Sequence, residues 1–165
     1  MKRGISQEGL KLLACVTMSV DHVAALHYAV TPLRVIGRLS FPIFCFLLSE
    51  GVYHTRNPRK YALRLLVVAL LSELPFDYAL FGGIDWWHQS VMVTLLLGFG
   101  AVVCMEKCPS LGWKAMAAVP FALLAELAMA DYGWAGVALA AMFELSRYLY
   151  PKNLLRSKPL TAKTA

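Results

Sequence analysis

The chain has 165 residues, 59% hydrophobic and 16% charged, with a net charge of +6. A soluble domain is roughly 45–50% apolar and about 25% charged, so this composition excludes an ordinary soluble enzyme and points to an integral membrane protein. The basic residues gather at the ends of apolar segments instead of forming one patch, which reads as membrane topology and argues against a nucleic-acid partner.

Lys2 and Arg3 precede the first apolar run, as in a secretion signal. Gln7, Glu8 and Lys11 dilute its start, and Asp21 and His22 interrupt it before Val23-Ala24-Ala25, so it reads as an uncleaved helix. Six segments approach the roughly 20 apolar residues that a spanning helix needs. They run 10–30, 33–53, 61–81, 90–106, 113–131 and 134–150, the fourth and sixth a turn short. Residues 1–151 therefore read as one all-α, polytopic bundle of about six transmembrane helices, and 152–165 as a basic, polar cytoplasmic tail.

Loop charge orients the bundle. Lys2, Arg3 and Lys11, then Arg56, Arg59 and Lys60, then Lys107 and Lys114, then Arg147, Lys152, Arg156, Lys158 and Lys163 mark alternate ends of the segments. The other connections hold Arg34 and Arg38 beside Asp85 and Asp131. The positive-inside rule then predicts two cytoplasmic termini and an even number of spans. Trp86, Trp87, Tyr78, Tyr132 and Trp134 fit an aromatic belt at the outer interface. Pro42, Pro75 and Pro120 fall inside segments two, three and five, where each removes a backbone donor and predicts a kink.

Charged groups inside these apolar runs are expensive and mark functional paths. Asp21 and His22 fall within about a turn of the midplane, and Glu73 just outward beside Pro75. Glu126 and Arg38 come about 6 and 7 Å outward, which places these groups in one layer. Asp21 is expected to pair with Arg38, leaving His22 toward a cavity as general base, proton relay or satisfied core histidine. Glu50, His54, Arg56, Arg59, Lys60 and Arg64 gather at the cytoplasmic mouth, where they would either hold a phosphate-rich ligand or only set topology. Glu144 is expected to pair with Arg147 or Tyr148. Cys15, Cys45, Cys104 and Cys108 read as small buried apolar residues, because Cys104-x-x-x-Cys108 is neither a metal nor a redox spacing. No metal site, phosphate loop or Gly-x-Ser-x-Gly elbow is expected.

The run from Leu10-Lys11-Leu12 to Met18-Ser19-Val20-Asp21-His22-Val23, the block Arg34-Val35-Ile36-Gly37-Arg38-Leu39-Ser40-Phe41-Pro42-Ile43-Phe44, and the stretches Leu48-Ser49-Glu50-Gly51, His54-Thr55-Arg56-Asn57, Leu71-Ser72-Glu73-Leu74-Pro75-Phe76-Asp77 and Gln89-Ser90-Val91 resemble the TraX family. Asp131-Tyr132-Gly133-Trp134 continues the likeness more weakly. The resemblance implies a multi-pass protein of the bacterial inner membrane, linked in conjugative systems to N-terminal acetylation of pilin and distantly similar to transmembrane acyltransferases. It implies acetyl-coenzyme A as donor, membrane lipid as surroundings, and a pilin or other envelope acceptor. Carried onto matching positions, His22 would be the base, with Asp21, Arg38 and Glu73 beside it. Glu50, His54, Arg56 and Arg64 would hold coenzyme A, and Gln89 would touch the acceptor. Members of the family usually carry further spanning helices, so this chain is expected to be a minimal member or a shortened one that forms homo-oligomers. Two other functions suit the same residues: a non-catalytic assembly scaffold of an envelope or pilus system, and a proton-coupled transporter.

Overall fold

The computed structural model describes the backbone of residues 7–26, 31–81 and 90–149, and their side chains except at 25, 26, 31–34 and 73–81. All seven elements described are helices: α1 (Gln7–Leu26), α2 (Thr31–Arg38), α3 (Ser40–His54), α4 (Pro58–Phe81), α5 (Val91–Glu106), α6 (Leu111–Leu127) and α7 (Gly133–Leu149). The six expected segments are all present as helices. The second is broken into α2 and α3 at Leu39. Pro42 explains the break, because it lacks the N–H that would bond the Arg38 carbonyl and its ring crowds that carbonyl. Pro42 thus sits in the first turn of α3, where proline is tolerated. Pro120 lies within α6 as expected.

Helix α5 is the hub, packed against α3, α4, α6 and α7. It is apolar on every side, as a fully enclosed helix should be. Phe41, Cys45, Leu48 and Val52 recur at helical spacing along α3 and meet Val91, Leu95, Phe99 and Val102 of α5, with Ala140 of α7 completing the core. A smaller cluster of Ala101, Ala125 and Val137 joins α5, α6 and α7. Helix α1 lies outside this core against α2, α3 and α4. It crosses α2 at Gly37, where an added Cβ would come within 2.7 Å of the Asp21 Cα. The glycine lets the two backbones touch.

Asn57 accepts from the Lys60 N–H at 3.2 Å and caps α4, whose first residue is Pro58. Across the Leu39 break, Val35–His54 is the one described stretch long and apolar enough by itself to cross a membrane. Val91–Glu106 is apolar but shorter.

Candidate functional site

The C-terminal half of α3 builds one wall of a cavity of about 480 Å³. Phe44, Leu47, Leu48, Gly51, His54 and Thr55 face it at intervals of one, three or four residues, the spacing of a single helix face. Leu65, Met92 and Leu95 complete an apolar floor, and Gln7, Lys11, Glu50 and Tyr61 supply a polar rim. Tyr61 reaches this position because residue 51 is glycine: a Cβ there would stand 2.8 Å from the Tyr61 hydroxyl. The Tyr61 ring is held edge-on against Phe99 with centroids 4.9 Å apart.

Glu50 and His54 are one helical turn apart at the rim. His54 Nδ1 lies 2.9 Å from the Glu50 carbonyl and 3.7 Å from Glu50 Oε2. A carbonyl only accepts, so a neutral His54 in this geometry carries its proton on Nδ1 and its lone pair on Nε2. His22 is set the same way, with Nδ1 2.9 Å from the Met18 carbonyl. The difference is location: His54 lines the cavity, whereas His22 is exposed on the side of α1 and lines neither described cavity.

Behind Glu50 lies an ionic network that joins four helices. Arg147 Nη2 is 3.0 Å from Glu144 Oε2 and 3.2 Å from Glu106 Oε1, and Nη1 is 3.9 Å from Glu50 Oε1. The guanidinium also stacks 4.3 Å over the Tyr53 ring. Lys114, only 5% exposed, donates to the Met105 carbonyl at 2.8 Å and lies 3.8 Å from Glu144 Oε1. Met105 is in the last turn of α5, so Lys114 places positive charge where the helix dipole is negative. The expected Glu144–Arg147 pair is thus present. Lys114 reads from sequence only as a topology marker, and Arg147 as a topology marker and a partner for Glu144 but not for Glu50 or Glu106. Their local signals were the three-residue step from Glu144 to Arg147 and a lysine set one residue after Trp113 in an apolar run.

The opposite end of α3 holds the other polar groups. Asp21 is half-buried against Gly37, its Oδ1 enclosed without a hydrogen-bond partner. The expected Asp21–Arg38 ion pair is not formed: among the described residues no carboxylate lies within 4.0 Å of Arg38, which is exposed where α2 ends. Glu126 accepts from the Trp134 N–H at 3.3 Å and so caps α7. Phe41 and Tyr132 stack face to face, centroids 3.7 Å apart and rings within 3° of parallel.

The expected residues therefore fall into two groups. Glu50 and His54 come together at the cavity, joined by Lys11 and Tyr61. Arg56 and Arg64 are exposed near the same end but do not line it. Asp21, His22 and Arg38 stand apart from them: Lys11 and Asp21 are ten residues apart on α1, about 15 Å along its axis. The Glu73 side chain and Gln89 lie outside the described residues, as do the 152–165 tail and the Trp86-Trp87 pair. Among the described residues no group of three side chains is disposed to hold a metal ion.

A family model described as TraX protein matches residues 6–159. The probable fimbrial assembly protein FimC, serogroup H1, of Dichelobacter nodosus is 30% identical over 135 residues, covering 75% of this chain and 55% of that protein. Uncharacterized protein RP591 of Rickettsia prowazekii (strain Madrid E) is 40% identical over 54 residues, covering 32% of this chain and 22% of that protein. The chain spans about half the length of the first relative and about a fifth of the second. No solved structure matches.

Proposed function

Since the chain belongs to the TraX family, we propose that it is a multi-pass protein of the bacterial inner membrane that serves a pilus or fimbrial system by moving acetyl from acetyl-coenzyme A to an acceptor amine or hydroxyl. The exposed surface supports the membrane placement. Leu63, Leu66, Val67, Leu70 and Leu71 of α4 and Met116, Val119, Leu123 and Leu127 of α6 all face outward. Soluble monomers rarely present contiguous apolar surface on this scale. In the orientation set by loop charge, the cavity and the Arg147 network lie at the cytoplasmic end, where acetyl-coenzyme A is available.

The observation that carries the transfer reading is the cavity itself. Its apolar floor suits a pantetheine arm, and Lys11 at the rim, with Arg56 and Arg64 outside it, suits phosphates. His54 presents Nε2 as a base, oriented through Nδ1 by Glu50. The acceptor nitrogen or oxygen attacks the thioester carbonyl as its proton passes to His54 Nε2. The C–S bond breaks, and the departing thiolate takes that proton to leave as coenzyme A thiol. Holding donor and acceptor together in the cavity supplies much of the rate. His54 is preferred to His22 as the base in this proposal because, of the two, His54 lines the cavity. His22, with Asp21, Arg38 and Glu73, is the alternative centre.

The test is transfer of labelled acetyl from acetyl-coenzyme A by the full chain in lipid, comparing His54→Ala with His22→Ala. We expect His54→Ala to lower the rate at least a hundredfold and His22→Ala to leave it within a few-fold. The reverse pattern moves the chemistry to the Asp21–His22 end. No transfer and no coenzyme A binding by wild type removes the enzymatic reading. A non-catalytic assembly role is the second reading, favoured by the ionic network that fastens the helix ends and by the Dichelobacter relative, a probable fimbrial assembly protein.

A further inference from the structure

A second concavity, of about 380 Å³, opens between the start of α3 and one face of α7. Ala135, Ala138, Leu139 and Met142 follow at helical spacing along α7, and Phe41 and Pro42 form the facing wall. Tyr132 and Trp134 stand at one end, with Arg38 beside them as the sole charged residue in the lining. Trp134 and Met142 are well exposed, so the groove opens sideways from the bundle instead of leading into it.

We propose that this groove binds one anionic phospholipid, with an acyl chain along Ala135, Ala138 and Met142 and the headgroup phosphate on Arg38. Three independent features select that occupant. The lining, Arg38 included, presents almost no polar surface, which suits hydrocarbon and leaves the exposed Arg38 guanidinium outside the groove for the headgroup. Tyr132 and Trp134 are the ring types that settle at the headgroup level of a bilayer. Arg38 is exposed with no described carboxylate within ion-pair distance, and a guanidinium matches phosphate oxygens with two parallel hydrogen bonds. Asp21 does not supply the missing anion, since its Oδ1 is buried against α2. The span from Trp134 to Met142 is eight residues, about 12 Å, so one chain has room to lie along the helix. The site requires the bundle to lie in a bilayer but is independent of the transfer chemistry, because it faces the opposite end of α3 from His54.

The test is native mass spectrometry of the full chain in detergent, titrated with phosphatidylglycerol or phosphatidylcholine. Wild type should retain one phosphatidylglycerol about tenfold more tightly than phosphatidylcholine. Arg38→Gln should erase that preference, and Met142→Gln should weaken both lipids by putting an amide in the chain path. Both positions are exposed, so neither change disturbs the core. Equal retention of phosphatidylglycerol by wild type and Arg38→Gln overturns the proposal. So does displacement of the lipid by inorganic phosphate alone at similar concentration, which would mean a bare anion site. Weakened lipid retention by Met142→Gln with acetyl transfer intact would separate this site from the catalytic one. Intact lipid binding without any transfer would leave it standing while the proposed activity fell.

Discussion

Arg147 reaches across the bundle to donate from Nη1 to the Ser49 carbonyl at 2.9 Å, joining residues 98 apart in the chain. Ser49 lies in the second-last turn of α3, so the guanidinium brings positive charge toward the negative end of that helix while engaging Glu144 and Glu106. One side chain thus fixes where α7 ends relative to α3, and with it the position of Glu50 at the cavity rim.

Removing that side chain leaves Glu144, 4% exposed, with only Lys114 to balance it. Arg147→Ala should cost about 3 kcal/mol, as for a buried pair that loses one partner. Arg147→Lys should recover less than half, because an ammonium cannot serve Ser49, Glu106 and Glu144 in one plane. Glu106→Gln, at the exposed edge, should cost less than about 1 kcal/mol. Denaturant unfolding in detergent measures all three.

Gly37→Ala should destabilise by about 1–3 kcal/mol, since the new methyl meets the backbone and side chain of Asp21 and forces α1 away from α2. Gly112→Ala is the control. Nothing lies within 4 Å of its added Cβ, so helix propensity alone should stabilise by up to about 1 kcal/mol. Equal melting shifts of the same sign would refute the close crossing.

Topology is open to thiol labelling. Cys108 follows Lys107 between α5 and α6, while Cys45 is completely buried in the core. In a variant retaining only Cys108, a membrane-impermeant maleimide should label inside-out vesicles and spare intact spheroplasts. Labelling in spheroplasts would invert the bundle. A variant retaining only Cys45 should label in neither until it is unfolded.

Burial pushes the Tyr132 phenol up to about 12, with Asp131 and Asp21 adding to the effect and Arg38 opposing it. A folded-state pKa above the unfolded value means that this contribution to stability is fully present below about pH 10 and lost as pH rises through about 12. The melting temperature should therefore fall over that window. Tyr132→Phe, which keeps the stack on Phe41, should flatten the fall. Identical curves for the two proteins would show that Tyr132 does not sense its burial.

What the sequence determined by itself is local. Apolar runs of helical length placed every helix to within a few residues, and Pro42 supplied the reason for the break at Leu39. The three-residue step from Glu144 to Arg147 foretold their contact, since both lie on one helix face. Counting residues from a helix end gives height along the axis, and that much was legible for Glu50 and His54. It does not give rotation about the axis. Asp21 and His22 are neighbours in sequence but about 100° apart around α1, and side-chain packing alone turned Asp21 inward against Gly37 and left His22 outside. The same packing set Lys11 and Tyr61 at the Glu50–His54 cavity and brought Lys114 to Glu144. These are contacts between distant segments, decided by how ridges of one helix seat against another, and no periodicity within a single segment encodes them.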